Sequence, residues 1–144
     1  YLEIIKDRLY NPDKRGEESR KSAQYTLYNS LLTILKLFSP IMPFITEEIY
    51  HIYFKEKENK KSIHLEEWPK SSKLDDSLDV MGNLFIDIVS RVRKFKTENK
   101  KTLKESIELI LPGEDIKILM PALEDLKAVT NSRAIKEGKF EIKF

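Results

Sequence analysis

Apolar residues recur at helical spacing through roughly the first hundred positions of the chain and alternate thereafter. Leu2, Ile5 and Leu9 share one face, which predicts the last turns of a helix over 1–10. Asn11-Pro12-Asp13-Lys14-Arg15-Gly16 reads as a turn. Leu27, Leu31, Ile34, Leu35 and Phe38, widened by Tyr28 and Leu32, predict a helix over 17–38 whose stripe is broad enough for more than one neighbour. Pro40 and Pro43 end it, because proline has no amide hydrogen to donate and drives the residue before it, here Ser39 and Met42, out of the helical region. Ile41, Met42, Phe44 and Ile45 are all apolar. The corner they form is therefore expected to be buried inside a bundle. The next helix is expected over 46–54, with Thr46 as N-cap and Glu47 and Glu48 at the positive end of its dipole.

Residues 55–61 are expected as a solvated loop, and 62–69 as a short extended piece closed by Trp68-Pro69, the tryptophan plugging a core. Leu78, Met81, Phe85, Ile88, Val92 and Phe95 step by three and four, predicting a helix that starts near Asp76 or Ser77 and ends between 99 and 102. The period then changes. Ile107, Leu109 and Leu111 alternate up to Pro112-Gly113, as in a strand. Residues 114–129 read as helix, with Pro121 kinking it or starting a second one. Two strands over 133–136 and 139–144 follow, joined at Glu137-Gly138, with Phe140, Ile142 and Phe144 on one face. The expected architecture is mainly α: a helical bundle over 1–102, then a small β-α-β-β subdomain over 103–144.

Composition narrows the function classes. The 144 residues suit one domain or one domain with an appendage. With 40% apolar and 35% charged residues the chain reads as soluble, and no apolar run approaches the roughly 20 residues that span a bilayer. Charges throughout 1–10 argue against a signal peptide, and the abrupt start inside an apolar-periodic segment suggests a piece of a larger protein. There is no cysteine, so disulfides and thiolate metal sites are excluded. A cytoplasmic location fits. The four glycines stand far apart, with no phosphate-cradling loop, and no metal-ligand cluster is visible. Lys70-Ser71-Ser72-Lys73 lacks the strand and glycine of a nucleotide loop and reads as linker. His51 and His64 have no evident partners. The stretch is expected to catalyse nothing and to hold no cofactor.

The net charge of +2 does not by itself point to a polyanion; only the distribution of charge could do so. Six cations, Arg91, Arg93, Lys94, Lys96, Lys100 and Lys101, face one acid, Glu98, between positions 91 and 101. Helical spacing sets Arg93, Lys96 and Lys100 on one flank of the core stripe and Arg91, Lys94 and Lys101 on the other. Such a helix end can neutralise nucleic-acid phosphates, or can be an ordinary solvated face with cations suited to a helix C-terminus. A weaker cluster comprises Lys14, Arg15, Arg20 and Lys21, diluted by Glu17 and Glu18. Leu65-Glu66, before Trp68-Pro69, is the second candidate: a carboxylate accepts from a cytosine amino group while an apolar side chain packs on the ring.

These segments together resemble a known family. Tyr1-Leu2-Glu3, Arg8-Leu9-Tyr10, Pro40-Ile41-Met42-Pro43-Phe44-Ile45-Thr46-Glu47-Glu48-Ile49-Tyr50 and Ser62-Ile63-His64-Leu65-Glu66-Glu67-Trp68-Pro69 are similar to the helical anticodon-binding domain of class I aminoacyl-tRNA synthetases. The valine, isoleucine and leucine branches carry versions of both longer segments. Arg91-x-Arg93-Lys94-Phe95-Lys96-x-Glu98-Asn99, then Leu103 and a short α/β unit, favours the valine branch, and the Arg-Gln-Pro-Leu stretch usual in the isoleucine branch is missing. The resemblance implies an anticodon reader with Leu65 and Glu66 beside the bases, and Arg91, Arg93, Lys94, Lys96 and Lys100 on the tRNA backbone. It further implies tRNA(Val) as partner, catalytic and editing domains upstream in the same polypeptide, and ATP and Mg²⁺ used by the parent enzyme, with no oligomer required. The rival from another class is a helical protein-interaction scaffold with a basic surface.

Overall fold

The computed structural model describes residues 1–71 and 75–144. Ser72 and Lys73 of the expected linker therefore lie outside the described residues. By packing, the chain divides into two compact units, one made of Tyr1–Gly16 with Leu74–Phe144 and the other of Glu17–Lys73. This cut follows contacts, whereas the boundary at 102 follows the change of sequence period.

In the first unit, α1 (Leu2–Tyr10) is followed by a single helical turn, α2 (Pro12–Arg15). Pro12 sits at the first helical position, where its missing amide hydrogen costs nothing, and Gly16 closes the turn at φ 82°. The long α6 (Asp76–Glu98) begins at Asp75, whose carboxylate accepts from the Ser77 amide at 2.9 Å. After it come β1 (Ile107–Leu111), α7 (Gly113–Leu119), α8 (Leu123–Thr130), β2 (Ser132–Glu137) and β3 (Glu141–Lys143). Pro121 falls in a 3₁₀ turn, Met120–Ala122, that separates α7 from α8, so it starts a new helix rather than kinking an old one. The sheet order is β2-β1-β3, with β1 parallel to β2 and antiparallel to β3. The central strand buries Ile107, Leu109 and Leu111 completely, in a core shared with Phe85, Ile88 and Val92 of α6 and with Leu119 and Leu126. Phe140 and Ile142 pack on the same core, and Phe144 stacks on Phe95. The expected mainly α fold with a β-α-β-β tail is what the chain adopts.

An ion cluster ties α1 and α2 to α8. Asp125 is buried; its carboxylate accepts from Arg8 through both oxygens and from Arg15 at 2.6 Å. A buried carboxylate is costly without partners, and two guanidiniums satisfy this one.

In the second unit, α3 (Glu17–Phe38) ends at the proline corner and α4 (Pro43–Tyr53) starts at Pro43, three residues earlier than the sequence suggests. Thr46 is not the N-cap: its hydroxyl lies inside the helix and donates to the carbonyls of Met42 and Pro43. Pro43 takes the first helical position itself, so Glu47 and Glu48 fall beyond the first turn. Residues 55–58 are helical, α5 (Lys55–Glu58), rather than an open loop. Leu32 and Leu35 of α3 pack with Tyr50, Phe54 and Ile63, flanked by Tyr28 and Ile49. The rest of the wide stripe stays outside: Leu31, Ile34 and Phe38 are exposed. So are all four apolar corner residues, Ile41, Met42, Phe44 and Ile45, which corrects the expectation of a buried corner. A helix can bury only the arc that faces its neighbours, and α4 with the segment after it covers one side of α3.

Candidate nucleic-acid interface

The segment after α5 is not extended throughout. Ile63–Leu65 forms a 3₁₀ turn, and the Ser62 hydroxyl oxygen accepts from the His64 amide at 3.2 Å. Glu47 fixes this turn from α4: one carboxylate oxygen accepts from the Ser62 hydroxyl at 2.9 Å and the Ile63 amide at 3.1 Å. The other lies 3.0 Å from His51 Nε2, a partner that i,i+4 spacing on the expected helix could have signalled. Burial alone would raise the Glu47 carboxyl, but these donors hold it below the ordinary glutamate value.

Glu66 anchors the far side of the turn. Its side chain is only 7% exposed; Oε1 accepts from the Tyr50 hydroxyl at 2.7 Å, and Oε2 lies 3.1 Å from Lys36 Nζ. Burial would push this carboxyl up, yet the Tyr50 and Lys36 hydrogen bonds and the Lys36 charge hold it low. Burial and the adjacent carboxylate in turn push the Tyr50 hydroxyl well above its ordinary value. Both Glu66 oxygens already have a protein donor, so the expected contact with a cytosine amino group would have to use a remaining lone pair. Leu65 has the opposite fate. With Ile63 buried on one side and Glu66 on the other, its side chain is held 62% exposed. Trp68 is also exposed and plugs no core.

The basic helix end divides in the same way. Lys96 is 1% exposed, and its ammonium donates to the carbonyls of Leu103 at 2.9 Å, Glu105 at 2.6 Å and Thr130 at 2.8 Å. It joins the end of α6 to the chain entering β1 and leaving α8. Burial pushes its ammonium below the usual lysine value, with the nearby Glu105 charge opposing. This corrects its expected place on the tRNA backbone. Eleven residues make three helical turns, so Lys96 continues the Phe85 stripe into the core, a periodicity that could have signalled the outcome.

Arg91 lies at the surface, 2.8 Å from Asp87 and over the Phe140 ring. Lys101 lies over Phe144. Lys94 is 3.9 Å from Glu98, a loose exposed pair of little energetic weight. Arg93 and Lys100 are exposed, and no ion pair holds them among the described residues. Lys100 adopts φ 54° where α6 ends: its amide donates to the Thr97 carbonyl and the Lys101 amide to Lys96. That is a Schellman closure, whose left-handed position is usually taken by glycine. In the weaker cluster Arg15 is held by Asp125 and Asp7, Arg20 and Lys21 lie beside Glu17 and Glu18 at the surface, and Lys14 is exposed with no ion pair among the described residues.

Among the described residues no group of acids and histidines could hold a metal ion, and no helix is long and apolar enough to cross a membrane. One unit thus presents an exposed Leu65 on a turn held by Glu47 and Glu66, and the other ends a long helix in the exposed Arg93 and Lys100. The family described as the anticodon-binding domain of tRNA ligase matches residues 1–111, and the chain belongs to it. Valine–tRNA ligase of Pyrococcus furiosus is 41% identical over 145 residues, covering 98% of this chain and 16% of the relative. The valine–tRNA ligases of Rickettsia prowazekii and Methanopyrus kandleri are 39% and 35% identical, each over 94% of this chain. The chain thus spans about one-sixth of the length of these relatives.

Proposed function

We propose that this chain is the anticodon-reading part of a valine–tRNA ligase and that its partner is tRNA(Val). The observation that carries the reading is the 3₁₀ turn at Ile63–Leu65, which Glu47 and Glu66 clamp from both sides so that Leu65 stands in water. An apolar side chain on a rigid support can pack against an unstacked base, the usual way single-stranded RNA loops are read. Glu66 positions this ledge. Arg93, Lys94 and Lys100, with Arg91 beside Asp87, hold the tRNA backbone. The lysine in the left-handed position of Lys100, where glycine is easier, supports a use for its charge.

The parent polypeptide would carry the catalytic and editing domains, use ATP and Mg²⁺, and work in the cytoplasm. The helical portion gives way near residue 102 to the 103–144 subdomain, whose role is structural. The test is aminoacylation by the full-length enzyme, comparing wild-type and anticodon-substituted tRNA(Val). Leu65→Ala should lower charging of the wild-type tRNA and narrow its advantage over the substituted ones; an unchanged preference overturns the role of Leu65. Charging of isoleucine or leucine tRNA by the parent would move the chain to a neighbouring branch.

A further inference from the structure

A shallow groove of about 850 Å³ runs between the first half of α3 and the end of α4 with α5. The buried Phe54 forms its floor, with the Tyr28 ring 4.8 Å away, centroid to centroid. Tyr25 and Tyr53 line it from α3 and α4 and are 71% and 64% exposed, so most of each side chain meets no protein. On the α5 side, Lys55, Lys57, Lys60 and Lys61 are exposed, and no ion pair holds them among the described residues. Lys57 lies over the Tyr28 ring, 5.0 Å from its centroid. Of the two acids in the same stretch, Glu58 accepts from the Tyr28 hydroxyl at 2.6 Å. Open aromatic faces and unpaired cations thus share one groove.

We infer that this groove is a second RNA site, taking an unstacked tRNA nucleotide other than the base against Leu65, its ring on Tyr25 and Tyr53 and its phosphate at Lys57. Bases of a single strand stack on open aromatic rings while cations beside the rings meet the backbone. Four unpaired lysines select a polyanion over an apolar peptide. The groove and the Leu65 turn belong to one unit but to different stretches of α3. Lys36, which meets Glu66, stands eleven residues beyond Tyr25, about 17 Å along the helix. One base cannot fill both places, so the strand supplies a second nucleotide. Every base has an aromatic face, so the groove grips without choosing. It adds affinity and leaves anticodon preference to the turn. The inference rests on the reading of tRNA as the partner.

The test uses full-length enzyme and a tRNA(Val) transcript. Tyr25→Ala with Tyr53→Ala should weaken binding about ten-fold, whereas Tyr25→Phe with Tyr53→Phe should keep it, since phenylalanine still stacks. Lys57→Ala should reduce the slope of log K against log salt by roughly one contact's worth. In parallel, p-benzoylphenylalanine replaces Tyr53, Leu65 or, as control, the exposed Glu18, and RNA crosslinks are mapped by reverse-transcription stops. The expected result is a link from position 53 to a nucleotide different from the one reached from position 65, in several-fold excess over position 18. Unchanged affinity in the alanine pair, a link from position 53 to protein or to the nucleotide that position 65 reaches, or a yield no higher than at position 18 overturns the inference. If position 65 still crosslinks, the groove alone has failed; if neither position does, the reading of tRNA as partner has failed with it.

Discussion

Glu66 Oε1 accepts a hydrogen bond from the Tyr50 hydroxyl at 2.7 Å, sixteen residues back along the chain. With Lys36 on its other oxygen, the carboxylate joins α3, α4 and the 3₁₀ turn at one point. Its neighbour Leu65 is left outside. Two adjacent residues thus differ: one is engaged within the fold and the other is exposed.

Replacing Glu66 with Ala leaves the Lys36 ammonium and the Tyr50 hydroxyl without their partner. Removing one member of this largely shielded, hydrogen-bonded charge pair costs about 1–3 kcal/mol. Urea unfolding of the Glu66→Ala chain should show a loss of about that size, whereas Leu65→Ala should change stability by less than about 1 kcal/mol, as for other exposed positions. The two variants then separate support from recognition.

The acid limb of the stability profile should report the same contacts. Glu66 and Glu47 both have carboxyls held below their unfolded value. A group of this kind contributes stability above its unfolded pKa, which is lost as pH falls through the folded one. Stability of the Glu17–Lys73 unit should therefore be flat near neutrality and decline below about pH 4.5, the unfolded carboxyl range. Glu66→Gln should shallow that decline, as followed by hydrogen exchange or circular dichroism from pH 7 to 2.

Lys96 and Arg93 stand three residues apart on one helix and should behave as different kinds of residue. Lys96→Met strands the buried Thr130 carbonyl and takes the donor from the part-buried carbonyls of Leu103 and Glu105, at a cost of about 1–3 kcal/mol for each left without a donor or water. It should lower the unfolding midpoint while leaving the salt dependence of tRNA binding unchanged. Arg93→Ala should do the reverse, reducing the slope of log K against log salt by roughly one contact's worth.

Lys100→Gly should stabilise the end of α6 by about 1 kcal/mol, because the left-handed backbone strains any residue with a Cβ. It should at the same time weaken tRNA binding without altering anticodon preference. Thermal unfolding and filter binding at two salt concentrations check both halves. A variant that gains stability and keeps its affinity removes Lys100 from the backbone contacts.

What the sequence determined by itself was the course of the backbone. Helical and alternating periods, two prolines at a corner and Pro121 between helices are local signals, and they located α3, α6, β1 and the β-α-β-β order to within a few residues. The candidate surface was legible in part: the Leu65 segment and the cationic end of α6 stood out by residue type and spacing. Tertiary structure decided which of those side chains face water, although the helical period already aligned Lys96 with the Phe85 stripe. Lys96 turns inward because three carbonyls, one of them 34 residues away, converge on its ammonium. Glu66 turns inward because Tyr50 and Lys36 arrive from two other helices. Half of the α3 stripe stays bare because a helix covers only as much apolar arc as its neighbours reach. Periodicity records which residues lie on one face of an element. It carries no information on which distant groups come to meet that face.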